Sequence, residues 1–254
     1  MTGQVLAVGL AASAALLGAL LTAPDARAGE AKRCVVVWSE GTAPKNVYPK
    51  DINTAIAEGL QQSLPDWEVV IASLKDPDQG VPDALLNRCD VLIWWGHQKH
   101  GDVKDELVKK IVKRVKEDGM GFISLHSSHF AKPNKALMGT ACSWGGYLGD
   151  SKTCKVTVAD AKHPIAEGVK EFEIPNSERY NDPYAIPKPD SVVFEGTFTL
   201  NNGQTSSSKQ GFTFTVGKGK FFYFQPGHET NPIFKDETVK RIMANAVKWA
   251  APAK

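Results

Sequence analysis

The run Gly119-Met-Gly-Phe-Ile-Ser-Leu-His126-Ser-Ser-His129 constrains this chain more than any other stretch. Phe122 to Leu125 is short and largely apolar, which suits a strand buried on both faces of a parallel sheet. That strand must stop at His126-Ser127-Ser128-His129, so two imidazoles stand at a strand's carboxyl end. In an open parallel sheet this edge is where ligands bind, because its βα loops carry polar groups while the strands themselves are buried. The functional question is therefore which other groups reach the same edge.

Strands and helices alternate through the first half. Val35 to Trp38 is a strand that runs into a polar loop, Ser39 to Lys50. Asp51 to Leu64 has Ile52, Ala55, Ile56 and Leu60 at helical spacing, and Pro65 closes it. Val69 to Leu74 is a second strand, Asp76 to Gly80 a turn and Pro82 to Asn87 a short helix; Asp90 to Trp95 is a third strand, ending in Gly96-His97-Gln98-Lys99-His100. Residues 102 to 118 form an amphipathic helix whose lysines make a solvated outer face. Such alternation means βαβ units and a parallel sheet.

The second half has a different grain. Lys155 to Val158, Glu171 to Ile174, Ser191 to Phe194, Phe212 to Val216 and Lys220 to Phe224 are short β-type runs joined by loops rich in Pro, Gly, Asn and Ser. Gly217-Lys218-Gly219 marks a hairpin, Asn202 to Lys209 reads as an exposed loop, and Lys235 to Trp249 as a closing helix. Lys220 to Phe224 ends in Gln225-Pro-Gly-His228-Glu229, so another strand delivers an imidazole and a carboxylate to its carboxyl end.

A chain of 254 residues, 42% of them hydrophobic, suffices for one α/β domain. A net charge of +2 builds no field for nucleic acid, and none is expected as a partner. Residues 1–28 stand apart: an apolar run from Val5 to Leu21, then Ala26-Arg27-Ala28, the pattern of a secretory signal peptide cut after Ala28. An uncleaved anchor is the alternative, since the run approaches the length of a membrane span. The remainder, 29–254, is expected as one exported domain, periplasmic or extracellular, with no membrane span in the mature chain. Export permits disulfides. Cys34 and Cys89 each open a strand and Cys142 and Cys154 flank a Gly-rich stretch, so the expected pairs are 34 with 89 and 142 with 154, with free buried thiols as the alternative. No Cys-x-x-Cys spacing supports a thiolate zinc site.

Three strand ends thus carry histidine: His97, the pair His126 and His129, and His228. A single such histidine is commonly structural. Three at one sheet edge suit a divalent metal, zinc by preference, which in catalytic sites takes three protein ligands and keeps a position open. Parallel strands lie about 4.8 Å apart, so imidazoles from neighbouring strands can converge. His97, His126 and His228 are the expected metal ligands, with a metal-free acid–base site or a plain binding cleft as alternatives.

Glu178 and His129 are the expected catalytic groups. Glu178 lies among tyrosines in Pro175-Asn-Ser-Glu-Arg-Tyr-Asn-Asp-Pro-Tyr184, where partial burial would raise its pKa toward that of a useful base; an ion pair with Arg179 is the alternative. His129 is either a fourth ligand or a group supporting the ligands. His163 reads as a turn cap. Trp94, Trp95, Trp144, Tyr147, Tyr180 and Tyr184 flank these sites, and aromatic faces beside hydrogen-bonding groups suit the apolar C–H face of a sugar, although two tryptophans inside one strand read first as core; Trp95, Trp144, Tyr180 and Glu229 are the candidate substrate contacts.

The ordered motifs Trp-Trp-Gly-His97, Leu-His126-Ser-Ser-His129-Phe, Leu-Met-Gly-Thr140, His163-Pro-Ile, Glu178-Arg-Tyr180 and Gly-Lys-Gly-Lys-Phe-Phe-Tyr-Phe-Gln-Pro-Gly-His228-Glu229 resemble the ThuA-like, trehalose-utilisation family over residues 34–250. The resemblance implies a class I glutamine amidotransferase-like fold: a flavodoxin-like three-layer α/β sandwich with a mostly parallel sheet and an added β-rich second half. It also implies a link to disaccharide and keto-sugar metabolism. Amidotransferases of this class place a nucleophilic cysteine on the strand-to-helix turn, where this chain has His126. An imidazole cannot replace that thiolate in acyl transfer, so glutaminase activity is not expected. Where the family pattern often has a second acidic residue after Glu-x-Tyr, this chain has Asn181-Asp182.

The expected function is metal-assisted hydrolysis or elimination on a disaccharide or 3-keto-glycoside, with a small-molecule sugar as partner. A keto group acidifies the neighbouring C–H, which brings its cleavage within reach of ordinary acid–base groups. A non-catalytic carbohydrate-binding module on the same fold is the alternative, and a homo-oligomer is compatible with either.

Overall fold

The computed structural model describes residues 1–3 and 32–253. The apolar run Val5 to Leu21 and the cleavage site after Ala28 lie outside the described residues. No described helix is long and apolar enough to cross a membrane.

Strands β1 (Cys34–Ser39), β2 (Glu68–Ser73), β3 (Val91–Trp95) and β4 (Gly121–Leu125) alternate with helices α1 (Ile52–Ser63), α2 (Asp83–Arg88) and α3 (Asp105–Asp118). After β4 come α4 (Lys132–Met138), β5 (Trp144–Leu148), β6 (Ser151–Val158), β7 (Phe172–Pro175), β8 (Arg179–Tyr184), β9 (Ser191–Leu200), β10 (Thr205–Val216), β11 (Gly219–Phe224) and α5 (Glu237–Ala250). Nine strands form one sheet in the order β2-β1-β3-β4-β11-β10-β9-β6-β7, while β5 and β8 pair separately. From β2 to β11 the pairing is parallel, and from β11 outward it is antiparallel. Because β11 lies beside β4 in parallel, the last strand of the chain returns to the centre of the sheet. Three neighbouring strands, β3, β4 and β11, therefore end together in Trp95, Leu125 and Phe224.

Helices cover both faces. α1 and α5 pack their apolar stripes, Ile52, Ile56 and Leu60 with Val239, Ile242 and Val247, on one side of the sheet; α3 packs Leu107, Val108, Ile111 and Val115 on the other. α3 begins with Asp105 and Glu106, which favour the positive end of its dipole, and ends at Gly119 with φ 82°, the left-handed cap that glycine adopts without penalty. α5 is capped by Asp236, whose carboxylate accepts from the Thr238 and Val239 amides.

One expected loop is corrected, and two further elements join the fold. Thr205 to Lys209 is not a loop: it extends β10 and pairs with Glu195 to Thr199 of β9, leaving only a tight turn before it. Lys132–Met138 is a helix opened by Pro133 in its first turn, and β5 and β8 form a small antiparallel pair. Gly-rich and Pro-containing strings look like loops locally, and only their mutual pairing makes them strands.

The cysteines are all buried and free. β1 and β3 are adjacent as expected, but the register sets Cys34 beside Asp90, whose carboxylate accepts from the Cys34 amide. Cys89 instead donates its thiol to the Val91 carbonyl at 3.1 Å. Cys142 and Cys154 belong to the cores on opposite faces of the sheet, so the sheet itself separates them. Burial pushes the Cys154 thiol up to about 12.

Candidate functional site

The three strand ends bring His97, His126 and His228 together. Their ring centroids form a nearly equilateral triangle, 5.4 Å from His97 to His126, 5.1 Å from His97 to His228 and 5.3 Å from His126 to His228. Glu178 enters from the turn before β8. Each of the four residues can offer one ligand atom such that all lie within 4.8 Å of one another.

His126 is the buried corner. It follows β4 with φ 52°, a left-handed conformation that costs a non-glycine residue about 1–2 kcal/mol and is characteristic of over-determined functional turns. Nδ1 donates to the Gln225 carbonyl at 3.1 Å, which leaves the lone pair on Nε2, 3.2 Å from Glu178 Oε2. The Tyr180 hydroxyl lies 3.1 Å from both His126 Nε2 and Glu178 Oε2.

His97 is set by a second carboxylate, since Glu229 lies 2.7 Å from its Nδ1. The sequence expectation placed Glu229 among the substrate contacts, but its side chain is buried and turned onto His97. In turn the Glu229 hydrogen bond raises the His97 pKa against the opposing effect of burial. Burial, the largest single effect, pushes Glu229 up, yet the His97 hydrogen bond, its own backbone amide and the nearby His97 and His228 imidazoles together outweigh it and leave it at about 2.

His228 turns Nδ1 to Thr230 Oγ1 at 2.8 Å and Nε2 toward Glu178, 3.9 Å away. The loop before it depends on Gly227, whose φ is 135° and where a Cβ would lie 3.3 Å from the His126 Cβ. Burial lowers the His228 pKa, helped by the nearby His126.

Glu178 departs from expectation. Burial does push its pKa up, but the neighbouring His126 and His228 imidazoles and the hydrogen bond from the Tyr180 hydroxyl together outweigh it, and the net shift is downward. The group is held as a carboxylate rather than tuned as a weak acid.

His129 is fully buried and outside the four-residue cluster. Its Nδ1 donates to the His126 carbonyl at 3.1 Å, and Tyr147, Tyr180, Tyr184 and Tyr223 surround its ring. Burial drives its pKa down to about 3, so its ring is held neutral beneath the cluster and is not among the four converging ligand groups. Trp95 has no exposed surface; its indole N–H donates to the Gly227 carbonyl at 3.0 Å, holding the His228 loop from below. Trp144 is 5% exposed and stacks on Tyr184 at 4.1 Å. Both tryptophans support the site from within and offer no face to a sugar. Tyr180 is equally buried, but its hydroxyl reaches the cluster. His163 caps a short turn as expected, accepting from the Ile165 amide.

Sequence reading passed over Glu40 and Ser128. Glu40, at the carboxyl end of β1, is buried and accepts from the Gln98 and Lys99 amides, so it anchors the loop that carries His97. Ser128 accepts from the Gly96 amide and donates to the Trp94 carbonyl, tying the β3 and β4 loops together. The available signal for Glu40 was a carboxylate directly after a buried strand at the edge shared by all the histidines.

The residues fit a divalent ion by the chemistry of the donor set. Three imidazoles have a nitrogen committed to a neighbouring carbonyl, carboxylate or hydroxyl, and a carboxylate faces the same small space. Nitrogen donors with a single carboxylate suit zinc better than the oxygen-seeking cations calcium and magnesium.

The sheet edge thus carries an imidazole at its strand-end turn with two further histidines, His97 and His228, and the Glu178 carboxylate gathered around it. The profile of the family described as ThuA, trehalose utilisation, matches residues 34–250, and the chain belongs to that family. Among solved structures, a ThuA-like protein from Parabacteroides merdae ATCC 43184 is similar at TM-score 0.63 and 13% identity, over 88% of this chain and 92% of that one. A cytoplasmic protein from Salmonella typhimurium LT2 is similar at TM-score 0.60 and 13% identity, over 86% and 99% of the respective chains. A glutamine amidotransferase from Thermotoga maritima is similar at TM-score 0.53 and 12% identity, over 85% and 96%. These likenesses establish the fold. No curated protein matches the chain.

Proposed function

We propose that this protein is an exported, metal-assisted enzyme acting on disaccharides or 3-keto-glycosides by hydrolysis or elimination. The observation that carries the reading is the convergence of His97, His126, His228 and Glu178 within 4.8 Å at the sheet edge. The family's description supplies the link to carbohydrate. His97, His126 and His228 would hold the ion, zinc by its donor set, with the Glu178 carboxylate beside it. A bound divalent ion polarises a carbonyl or hydroxyl oxygen of the substrate.

The protein's own groups have separable tasks. Glu229 keeps the proton of His97 on Nδ1, which turns Nε2 into the site. The Gln225 carbonyl does the same for His126. The Tyr180 phenol, kept protonated by burial and by the adjacent Glu178 charge, is a hydrogen-bond donor beside the reacting space. Glu178, as a carboxylate, can take a proton from an acidified C–H or from water. The nucleophile turn holds no thiol, so glutamine hydrolysis through a thioester is not part of this reading.

The test is metal analysis of the purified protein after dialysis, followed by assay of the metal-loaded form on disaccharides and their 3-keto derivatives. One retained ion per chain and turnover of a keto-glycoside are expected. Protein that neither retains a divalent ion nor responds to one would sink the enzyme reading in favour of a non-catalytic sugar-binding module.

A further inference from the structure

The aromatic residues around the cluster divide by exposure. Trp95, Trp144, Tyr180 and Tyr223 are at most 5% exposed. Tyr147 is different, at 39%. Apart from the terminal Met1, the other large hydrophobic side chains exposed to this degree among the described residues are Ile71 and Leu148. Ile71 belongs to β2 at the far edge of the sheet, and Leu148, next along the strand, points to the face opposite Tyr147.

Tyr147 is opposite Tyr180 in the β5–β8 pair, with ring centroids 5.2 Å apart and planes nearly perpendicular. Tyr180 is the residue whose hydroxyl touches His126 and Glu178, so one ring separates Tyr147 from the cluster. Its own ring is fixed: it lies parallel to His129 at 5.6 Å, Phe130 flanks it at 5.4 Å, and its hydroxyl accepts from the Trp144 amide at 2.9 Å. Gly145, Gly146 and Gly149 flank it in sequence and carry no side chains, and open space surrounds Gly149. A rigid, half-exposed aromatic ring beside a polar site is the arrangement that stacks on the apolar face of a pyranose.

We propose that Tyr147 is the platform for the sugar ring beyond the scissile linkage, with the linkage itself over the histidine–carboxylate cluster. This rests on the carbohydrate reading above. It makes the substrate class a glycoside with a second ring, a disaccharide or an aryl glycoside, in preference to a simple alkyl glycoside.

The experiment compares wild type, Tyr147→Ala and Tyr147→Phe, all metal-loaded, on a 3-keto-disaccharide and on the methyl glycoside of the same 3-keto sugar. Calorimetric binding of both sugars is measured alongside the kinetics. Tyr147→Ala should raise KM and Kd for the disaccharide about tenfold, with a much smaller rise for the methyl glycoside. Tyr147→Phe, which keeps the ring, should stay near wild type and guards against a folding artefact in the alanine variant. Equal disaccharide affinity in wild type and Tyr147→Ala would overturn the platform while leaving the enzyme reading intact. Wild type that binds the disaccharide without turning it over would remove the enzyme reading, and the Kd comparison would still decide the platform. Wild type that binds no sugar would remove both.

Discussion

His126 and His129 are three residues apart in one turn, yet they occupy opposite worlds. Around His126, polar groups converge: the Gln225 carbonyl, the Tyr180 hydroxyl, Glu178 and two further imidazoles. Around His129, tyrosines, Phe130 and backbone close in until its ring has no exposure. The same side chain is a candidate ligand in one place and a core residue in the other. What decides is the backbone: at φ 52° the turn aims His126 at β11 and β8, and a helical step later His129 points back under β5. The difference teaches that a histidine becomes functional when one nitrogen is fixed by a neighbour and the other is left facing solvent or substrate.

The sharpest way to break this contrast is to remove one ring at a time. His126→Ala should abolish stoichiometric metal retention after dialysis while the circular dichroism spectrum stays native; retention of a full equivalent would show that the cluster is not a metal centre. His129→Ala should do the reverse. Emptying a fully buried aromatic site costs about 3 kcal/mol of folding stability, read from urea denaturation, and the metal content should hold.

The pH dependence of stability sharpens the contrast further. Burial holds the folded His129 imidazole at a pKa of about 3, against 6.5 for a free one. Above the higher value both folded and unfolded states are neutral there and it contributes no slope. As pH falls below it, the unfolded chain binds a proton that the folded chain refuses, so stability declines until about pH 3. The decline is of the order of a few kcal/mol, and His129→Phe should flatten the part of it that lies in this window. Parallel denaturation curves for wild type and His129→Phe at pH 7.5, 5.5 and 4 make the comparison; identical losses would assign the acid sensitivity elsewhere.

The smallest effect belongs to Glu229, which lies outside the four candidate ligands and bonds to His97. Glu229→Gln should weaken metal affinity about tenfold, since partners that orient a ligating imidazole typically contribute that much or more. Competition with a chelator measures it, and an unchanged affinity would reduce Glu229 to a buried anchor of the His97 loop.

The parallel half of the fold was legible because its signals are local. Apolar runs of strand length, the helical spacing in α1 and α3 and the Gly119 stop reveal themselves within a few residues, and they place His97, His126 and His228 at strand ends. The second half was legible only as β-type runs. Trp144-Gly-Gly-Tyr147 and Arg179-Tyr-Asn-Asp-Pro-Tyr184 look like loops until they pair with each other. Glu178 was recognised, but the direction of its pKa shift was not, because the groups that reverse it come from β4 and β11.

By itself, then, the sequence determined that strands would deliver three histidines to one edge, since period and strand length are properties of neighbouring residues. Only the tertiary structure decided which histidine is buried, which nitrogen faces the site, that Glu229 serves His97 across 132 positions, and that no two cysteines pair. Those outcomes depend on register and on the return of β11 to the sheet centre, and both are set by packing between segments that carry no local trace of one another.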